Sequence, residues 1–318
     1  MYTEIVSIFA SSNNKSNNLI SKVMNTKSLT EQVNEVLNSE CGNTAKRNEL
    51  IKLGLCEHEV RMLLASITPT KTRKGEFDFS KITFGVEIES YNFCRNSLIE
   101  AGRENGLAVR SEGYNHEDNR HYFKIVSDSS LTGVNSNEVV SPILKGKKGM
   151  NSLQAICNAL AAVDAKVNRS CGLHVHIGAA NMSEEHYCRL VRNYQKIEKV
   201  IDSFMPTSRR ENNSRWCHTL QGIDFSGCTT KRDIARAMNY DRYYKVNAIA
   251  YERHKTIEFR QHSGTTEYEK IANWVMFLAH LVEYSFKHEI TTCESIEELP
   301  FLKESEKEYF INRRAAIL

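Results

Sequence analysis

Four short segments place carboxylates, imidazoles and a guanidinium at two-residue intervals within otherwise apolar, β-prone sequence. In Ile82-Thr-Phe-Gly-Val-Glu-Ile-Glu, strand alternation puts Glu87 and Glu89 on one face and Val86 and Ile88 on the other. In Gly172-Leu-His-Val-His-Ile-Gly178, His174 and His176 share a face opposed by Leu173, Val175 and Ile177. In Thr256-Ile-Glu-Phe-Arg-Gln-His, the same rule groups Glu258, Arg260 and His262 against Ile257 and Phe259. Asn137-Glu-Val-Val-Ser-Pro142 adds Glu138. Two glutamates about 7 Å apart on one strand repel when desolvated, so one is expected to protonate unless a cation neutralises both. Carboxylates with imidazole and no clustered thiolate suit a hard, oxygen-preferring ion such as Mg²⁺ or Mn²⁺. Arg260 is then placed to meet the phosphates such an ion would carry.

Those residues need a sheet beneath them. Strands are expected over 82–90, 121–127, 137–141, 166–178 (with a bend inside), 244–251 and 255–262. Three helical stripes accompany them. Met150, Leu153, Cys157 and Leu160 mark the first, and Tyr187, Leu190, Val191, Tyr194, Ile197, Ile201 and Phe204 the second. Ile271, Trp274, Val275, Leu278 and Val282 mark the third, entered through a Thr266-x-x-Glu269 capping box. The expected fold class is α+β: a largely antiparallel sheet covered by helices on one face, with an N-terminal helical module. The boundaries read as 1–66 helical module, 67–81 linker, 82–288 catalytic domain and 289–318 charged tail, with a short helix near Ser305 to Arg314.

In the N-terminal module, Ser28-x-x-Glu31 is a second capping box, ahead of Leu29, Val33, Val36 and Leu37. Another helix is expected from Thr44 to Leu53, and Val60, Leu63, Leu64 and Ile67 form a third stripe. Helix–glycine–helix suggests DNA binding, but seven Lys and Arg are balanced there by seven Glu, and a DNA reader needs a basic face. The net charge of +3 over 318 residues likewise makes no case for a nucleic acid or membrane partner. Nine scattered cysteines without a Cys-x-x-Cys pair fit neither a zinc ribbon nor a disulfide framework. Free thiols, no signal-like N-terminus and no apolar run of membrane-spanning length make a cytoplasmic protein the expectation.

Taken in order, Phe84-Gly-Val-Glu-Ile-Glu, Asp128-Ser-Ser-Leu131, Glu138-Val-Val-Ser-Pro142, Cys171-Gly-Leu-His-Val-His-Ile-Gly178 and Thr256-Ile-Glu-Phe-Arg-Gln-His-Ser-Gly-Thr265 resemble the successive signatures of the amidoligases, relatives of glutamine synthetase and glutamate–cysteine ligase. The resemblance implies a funnel-like antiparallel sheet binding ATP and divalent cations, and an amide or isopeptide bond made through an acyl phosphate. It implies a carboxylate substrate and an amine substrate, which could be an amino acid, a peptide or a protein. By position, Glu87, Glu89, Glu138, His174 and Glu258 resemble metal ligands, while His176 and Arg260 match groups near the nucleotide phosphates. Arg209, Arg210 and Arg215 resemble a phosphate- or substrate-contacting loop, and Asn247 and Asp128 also fall at family-like positions. Two other classes stand beside this reading. One is a metal-dependent hydrolase or oxygenase using the His-x-His pair, although a cupin-like site would want a further Glu where Gly178-Ala-Ala-Asn-Met follows. The other is a non-catalytic binding module.

Overall fold

A computed structural model describes residues 27–39, 43–56, 60, 78–113 and 121–317. The chain divides into two compact units, at Glu76 and Phe77. In the first, helices α1 (Leu29–Asn38) and α2 (Asn43–Lys52) are described. The Ser28/Glu31 capping box is formed, and Val33, Leu37, Leu50 and Val60 make a small core. Leu63, Leu64 and Ile67 lie outside the described residues.

The second unit runs β1 (Thr83–Ser90), α3 (Arg95–Glu104), β2 (Val109–Ser111), β3 (Phe123–Val126), β4 (Asn137–Val140), β5 (Leu144–Lys145), α4 (Gly146–Ala162), β6 (Gly172–Gly178), α5 (Glu184–Ser203), α6 (Lys231–Ala237), β7 (Val246–Asn247), α7 (Ala250–His254), β8 (Thr256–Ser263), α8 (Tyr268–Ser285) and α9 (Glu304–Ile317). Among the described residues eight strands form one mixed sheet in the order β2-β3-β4-β1-β6-β8-β7, with β5 also against β1. Only β2 and β3 run parallel; the other pairs are antiparallel. Val86, Ile88, Leu173, Val175, Ile177, Ile257 and Phe259 turn one face towards α4, α5 and α8, whose apolar stripes complete the core. Burying that face frees the alternate residues to build a polar one.

Several local expectations need correcting. Lys166 makes only an isolated bridge to Tyr91, and the strand begins at Gly172. The stretch 244–251 is not one strand: the Asn247 side chain accepts the Ile249 N–H at 3.0 Å, turning the chain into α7. Lys255, with φ of 54°, ends that helix and restarts the extended chain. Thr266 and Glu269 do not cap α8; Thr265 Oγ1 instead accepts the Glu267 N–H at 3.1 Å. Helices α3 and α6 lie where no element was expected. Beyond residue 289, Ile290, Cys293, Ile296, Leu299, Leu302 and Phe310 join the core, and Phe310 packs on Phe204 with ring centres 4.7 Å apart.

His262 is the consequential departure. A register shift opposite Leu173/Val175 inserts an extra β8 residue, so His262 pairs with Leu173 rather than following Arg260 onto the polar face. Gln261 then bonds Tyr194 and Asp202 on α5, and His262 lies against Trp274 of α8. Burial, reinforced by the charge of Arg313, pushes the His262 pKa down to about 3, against an ordinary 6.5. The folded ring stays neutral while the unfolded one charges below pH 6.5. Stability is therefore complete above that pH and falls as pH drops towards 3. Between pH 6.5 and 5 the loss from this residue should be roughly 2 kcal/mol. Denaturant unfolding at the two pH values should show His262→Gln losing less than the parent by about that amount; equal losses would mean the ring is accommodated with its charge.

Candidate active site

The polar face is built row by row from the pairing of the strands. Glu87 lies opposite His174, Glu89 opposite Glu138, and His176 opposite Glu258. Because paired residues point to the same side, four strands aim these side chains into one space. His174 is the hub. Its Nδ1 lies 2.9 Å from Glu87 Oε2 and 3.6 Å from Glu258 Oε1, and its Nε2 lies 3.6 Å from Glu89 Oε1. Two three-donor groups share it, Glu87–His174–Glu258 and Glu89–Glu138–His174, each with ligand atoms within 4.8 Å of one another.

Closeness of this order requires a gap in the backbone's own bulk. A Cβ added at Gly172 would lie 3.1 Å from His174 Nε2, 3.2 Å from an Arg209 guanidinium nitrogen and 3.3 Å from Glu89 Oε2. The Gly172 N–H also donates to Glu89. The Glu258 carboxylate receives the Asn247 amide at 2.6 Å and pairs with Arg260. Arg260 Nε reaches the Trp216 carbonyl at 3.4 Å. The His176 Nδ1 contacts Thr256 Oγ1 at 2.9 Å. Its Nε2, buried, sits 3.3 Å from Glu87 Oε1 but outside hydrogen-bond geometry.

Charge is distributed unevenly over these groups. Burial alone would raise the Glu87 pKa, but the His174 hydrogen bond and the close imidazoles of His176 and His174 hold it well below the usual carboxylate range. Burial works to lower His176, yet the Glu87 carboxylate and the charge of Glu258 raise it. Glu258 resists its burial through Arg260 and His176 and stays low, and Arg260 remains firmly protonated. Glu138 bears the crowding: burial first, then Glu87, Glu89 and Asp128, push it well above the ordinary value. The carboxyl driven to keep its proton is thus Glu138, where sequence alone pointed to the Glu87/Glu89 pair. An oxygen-rich donor set with one imidazole, and one acid too many for its cations, is the chemistry that a divalent metal ion fits.

The floor opens into a cleft of about 750 Å³ lined by Glu87, Glu138, His174, His176, Asp128 and Arg260 among others. Of the loop arginines, Arg209 is buried beside Gly172 and donates to the Cys171 carbonyl at 2.6 Å. Arg210 donates to Met205 O within its own loop, and Arg215 lies over the Trp216 ring at 4.4 Å. Neither of these two lines the cleft. Sequence reading missed Lys124, Lys145, Arg242, His254 and Lys255 on the cleft wall. Lys124 carried a signal, as a lone cation within the apolar run Phe123–Val126, and Lys255 opens the expected 255–262 strand; Lys145, Arg242 and His254 lie in segments without strand periodicity. Among the described residues no helix is long and apolar enough to cross a membrane.

No curated protein matches the chain. Residues 80–282, well over half of the sequence and including every residue of the polar floor, match the profile of the family described as "Putative amidoligase enzyme". With that match, the protein belongs to the amidoligase family.

Proposed function

We propose that this protein is an ATP-dependent carboxylate–amine ligase on a glutamine synthetase-like sheet, acting through an acyl phosphate. The observation that carries the proposal is the convergence of Glu87, Glu89, Glu138, His174 and Glu258 from β1, β4, β6 and β8 beside Arg260. These five residues are the ones that would hold Mg²⁺ or Mn²⁺. Such ions, when bound, supply neutralisation of phosphate oxygens. Arg260, fixed by Glu258 and the Trp216 carbonyl, would present its remaining N–H groups to the oxygens that gain charge. His176, with its buried Nε2 aimed at the same space, would donate to a phosphate oxygen in its protonated form. Arg209, behind Gly172, would add positive charge to the floor.

A carboxylate does not condense with an amine unaided because its oxygen is a poor leaving group. Phosphorylation by ATP converts that oxygen into phosphate, which the amine displaces, and rate then depends on positioning and charge neutralisation. The free state of all eight described cysteines accords with a reducing, cytoplasmic setting. Nothing favours the hydrolase or oxygenase alternative: each three-donor group contains one imidazole, and His176 belongs to neither.

Two measurements test the proposal. ATP with Mg²⁺ should raise the melting temperature, since a ligand held only by the folded state adds RT ln(1 + [L]/Kd) to stability. ADP release across a panel of amine and acid pairs, with mass spectrometry of products, should then reveal an amide. Absence of both the stabilisation and ADP release would leave the binding-module reading in its place.

A further inference from the structure

Asn247 of β7 lies opposite Glu258 of β8 in the register, so the two side chains leave the sheet on the same side. Both are buried, at 6 % and 4 % exposure. The Asn247 amide is held at both ends. Its Oδ1 accepts the Ile249 N–H at 3.0 Å, in the turn that leads into α7, and its Nδ2 donates to Glu258 Oε2 at 2.6 Å. The other carboxylate oxygen, Oε1, receives Nη1 of Arg260 and lies 3.6 Å from Nδ1 of His174. Glu258 is therefore divided. One oxygen is kept by the amide, and the other stands between the guanidinium and the imidazole at the centre of the floor.

That division has to be imposed. A guanidinium beside an unrestrained carboxylate takes both oxygens in a two-bond fork, and the terminal torsion of a glutamate turns easily. Glu258 and Arg260 are two residues apart on one strand. A fork between them would draw Oε1 away from His174 and occupy a second N–H of Arg260, which lines the cleft. Resting on the ligase reading above, we propose that Asn247 is a positioning residue: it holds Glu258 Oε2 back from Arg260, leaving Oε1 for the divalent ion and the guanidinium for the phosphates. The amide makes and breaks no bond in the reaction. Aspartate in its place would keep the turn but add a negative charge to a donor group that already contains Glu87 and Glu258. An uncharged side chain with one acceptor and one donor is what the position requires.

The test measures Mn²⁺ binding to the full chain from the loss of the free-ion electron paramagnetic resonance signal, in the parent, Asn247→Ser, Arg260→Ala and the double variant. Serine keeps a hydroxyl that accepts the Ile249 N–H but is too short to reach Glu258, so the turn survives and the carboxylate is released. The Kd for Mn²⁺ should rise about tenfold or more in Asn247→Ser, the usual cost of losing a partner that orients a metal ligand, with far-UV circular dichroism unchanged. Without Arg260 there is no competitor for Glu258, so adding Asn247→Ser to Arg260→Ala should raise Kd by no more than about twofold. A role confined to the turn would cost the same in both backgrounds. If Asn247→Ser does not fold, Asn247→Thr takes its place. Unchanged Mn²⁺ affinity in the folded variant, or an equal loss with and without Arg260, overturns the assignment of Asn247 and leaves the ligase reading standing. Loss of Mn²⁺ binding in Arg260→Ala alone also overturns it, since the guanidinium would then support Glu258 rather than compete for it. A parent that leaves all the Mn²⁺ free defeats the metal centre and the proposal together.

Discussion

Glu87→Ala should lower ATP-dependent ligation by on the order of 10²–10³-fold or more, with far-UV circular dichroism unchanged. Glu87 is the carboxylate set against both imidazoles: it faces His174 at 2.9 Å, lies 3.3 Å from His176, and belongs to one of the two donor groups built on His174. Its removal would take one ligand from the metal and free both imidazoles from the charge that orients them. The fold should tolerate the change because the carboxylates repel one another without a cation, as the raised pKa of Glu138 registers. Loss of Glu87 relieves part of that repulsion. Arg260→Ala should cost as much in rate, but for a different reason: it removes the cation proposed to face the phosphates and leaves Glu258, 4 % exposed, with the Asn247 amide but no guanidinium. The two variants separate by their response to metal. Mg²⁺ stabilisation should weaken in Glu87→Ala and persist in Arg260→Ala. Normal turnover in either folded variant would remove that residue from the machinery.

Lys245→Met should destabilise the protein by about 3–5 kcal/mol, the largest stability effect expected of a single substitution here. Lys245 is fully buried behind the sheet, and its Nζ lies 2.7 Å from both Glu198 Oε1 and Asp202 Oδ1. Those carboxylates also tie down the loop that carries Arg209. Glu198 accepts from Thr219 and the Leu220 N–H, and Asp202 accepts from the Glu211 N–H and Gln261. The backbone of Lys245 completes the clamp: its carbonyl receives the Arg260 N–H at 2.8 Å. Methionine fills the volume but strands two buried negative charges. Adding Glu198→Gln and Asp202→Asn to Lys245→Met should restore much of the loss, since removing all of a buried ionic group costs less than breaking it. Urea unfolding of the single and triple variants decides the point; equal stabilities would show that solvent reaches the carboxylates.

Much of the floor was legible because strand alternation is a strict rule. Glu87 with Glu89, and His174 with His176, followed from period two, and the apolar partners Val86, Ile88, Leu173 and Val175 fixed which side was buried. The rule failed at His262, because a bulge adds a residue without marking the sequence. It failed at 244–251 for a related reason: Asn247 serves the site through Glu258 and also turns the chain through its side chain, and β-prone residues on either side concealed the turn. Lys124 stood out locally only as a cation in an apolar run; its place on the cleft wall depends on register with β4, a long-range pairing. The identity of the protonated acid was hidden likewise, since Glu138 gains its crowding only when β4 docks beside β1.

Crystals grown with Mn²⁺ and the β,γ-imido ATP analogue allow the central claim to be read directly from anomalous scattering. The expected result is manganese density bounded by Glu87, Glu89, Glu138, His174 and Glu258, with the terminal phosphate of the analogue against it and Arg260 alongside. Manganese bound away from these residues, or a nucleotide seated elsewhere on the chain, would contradict it.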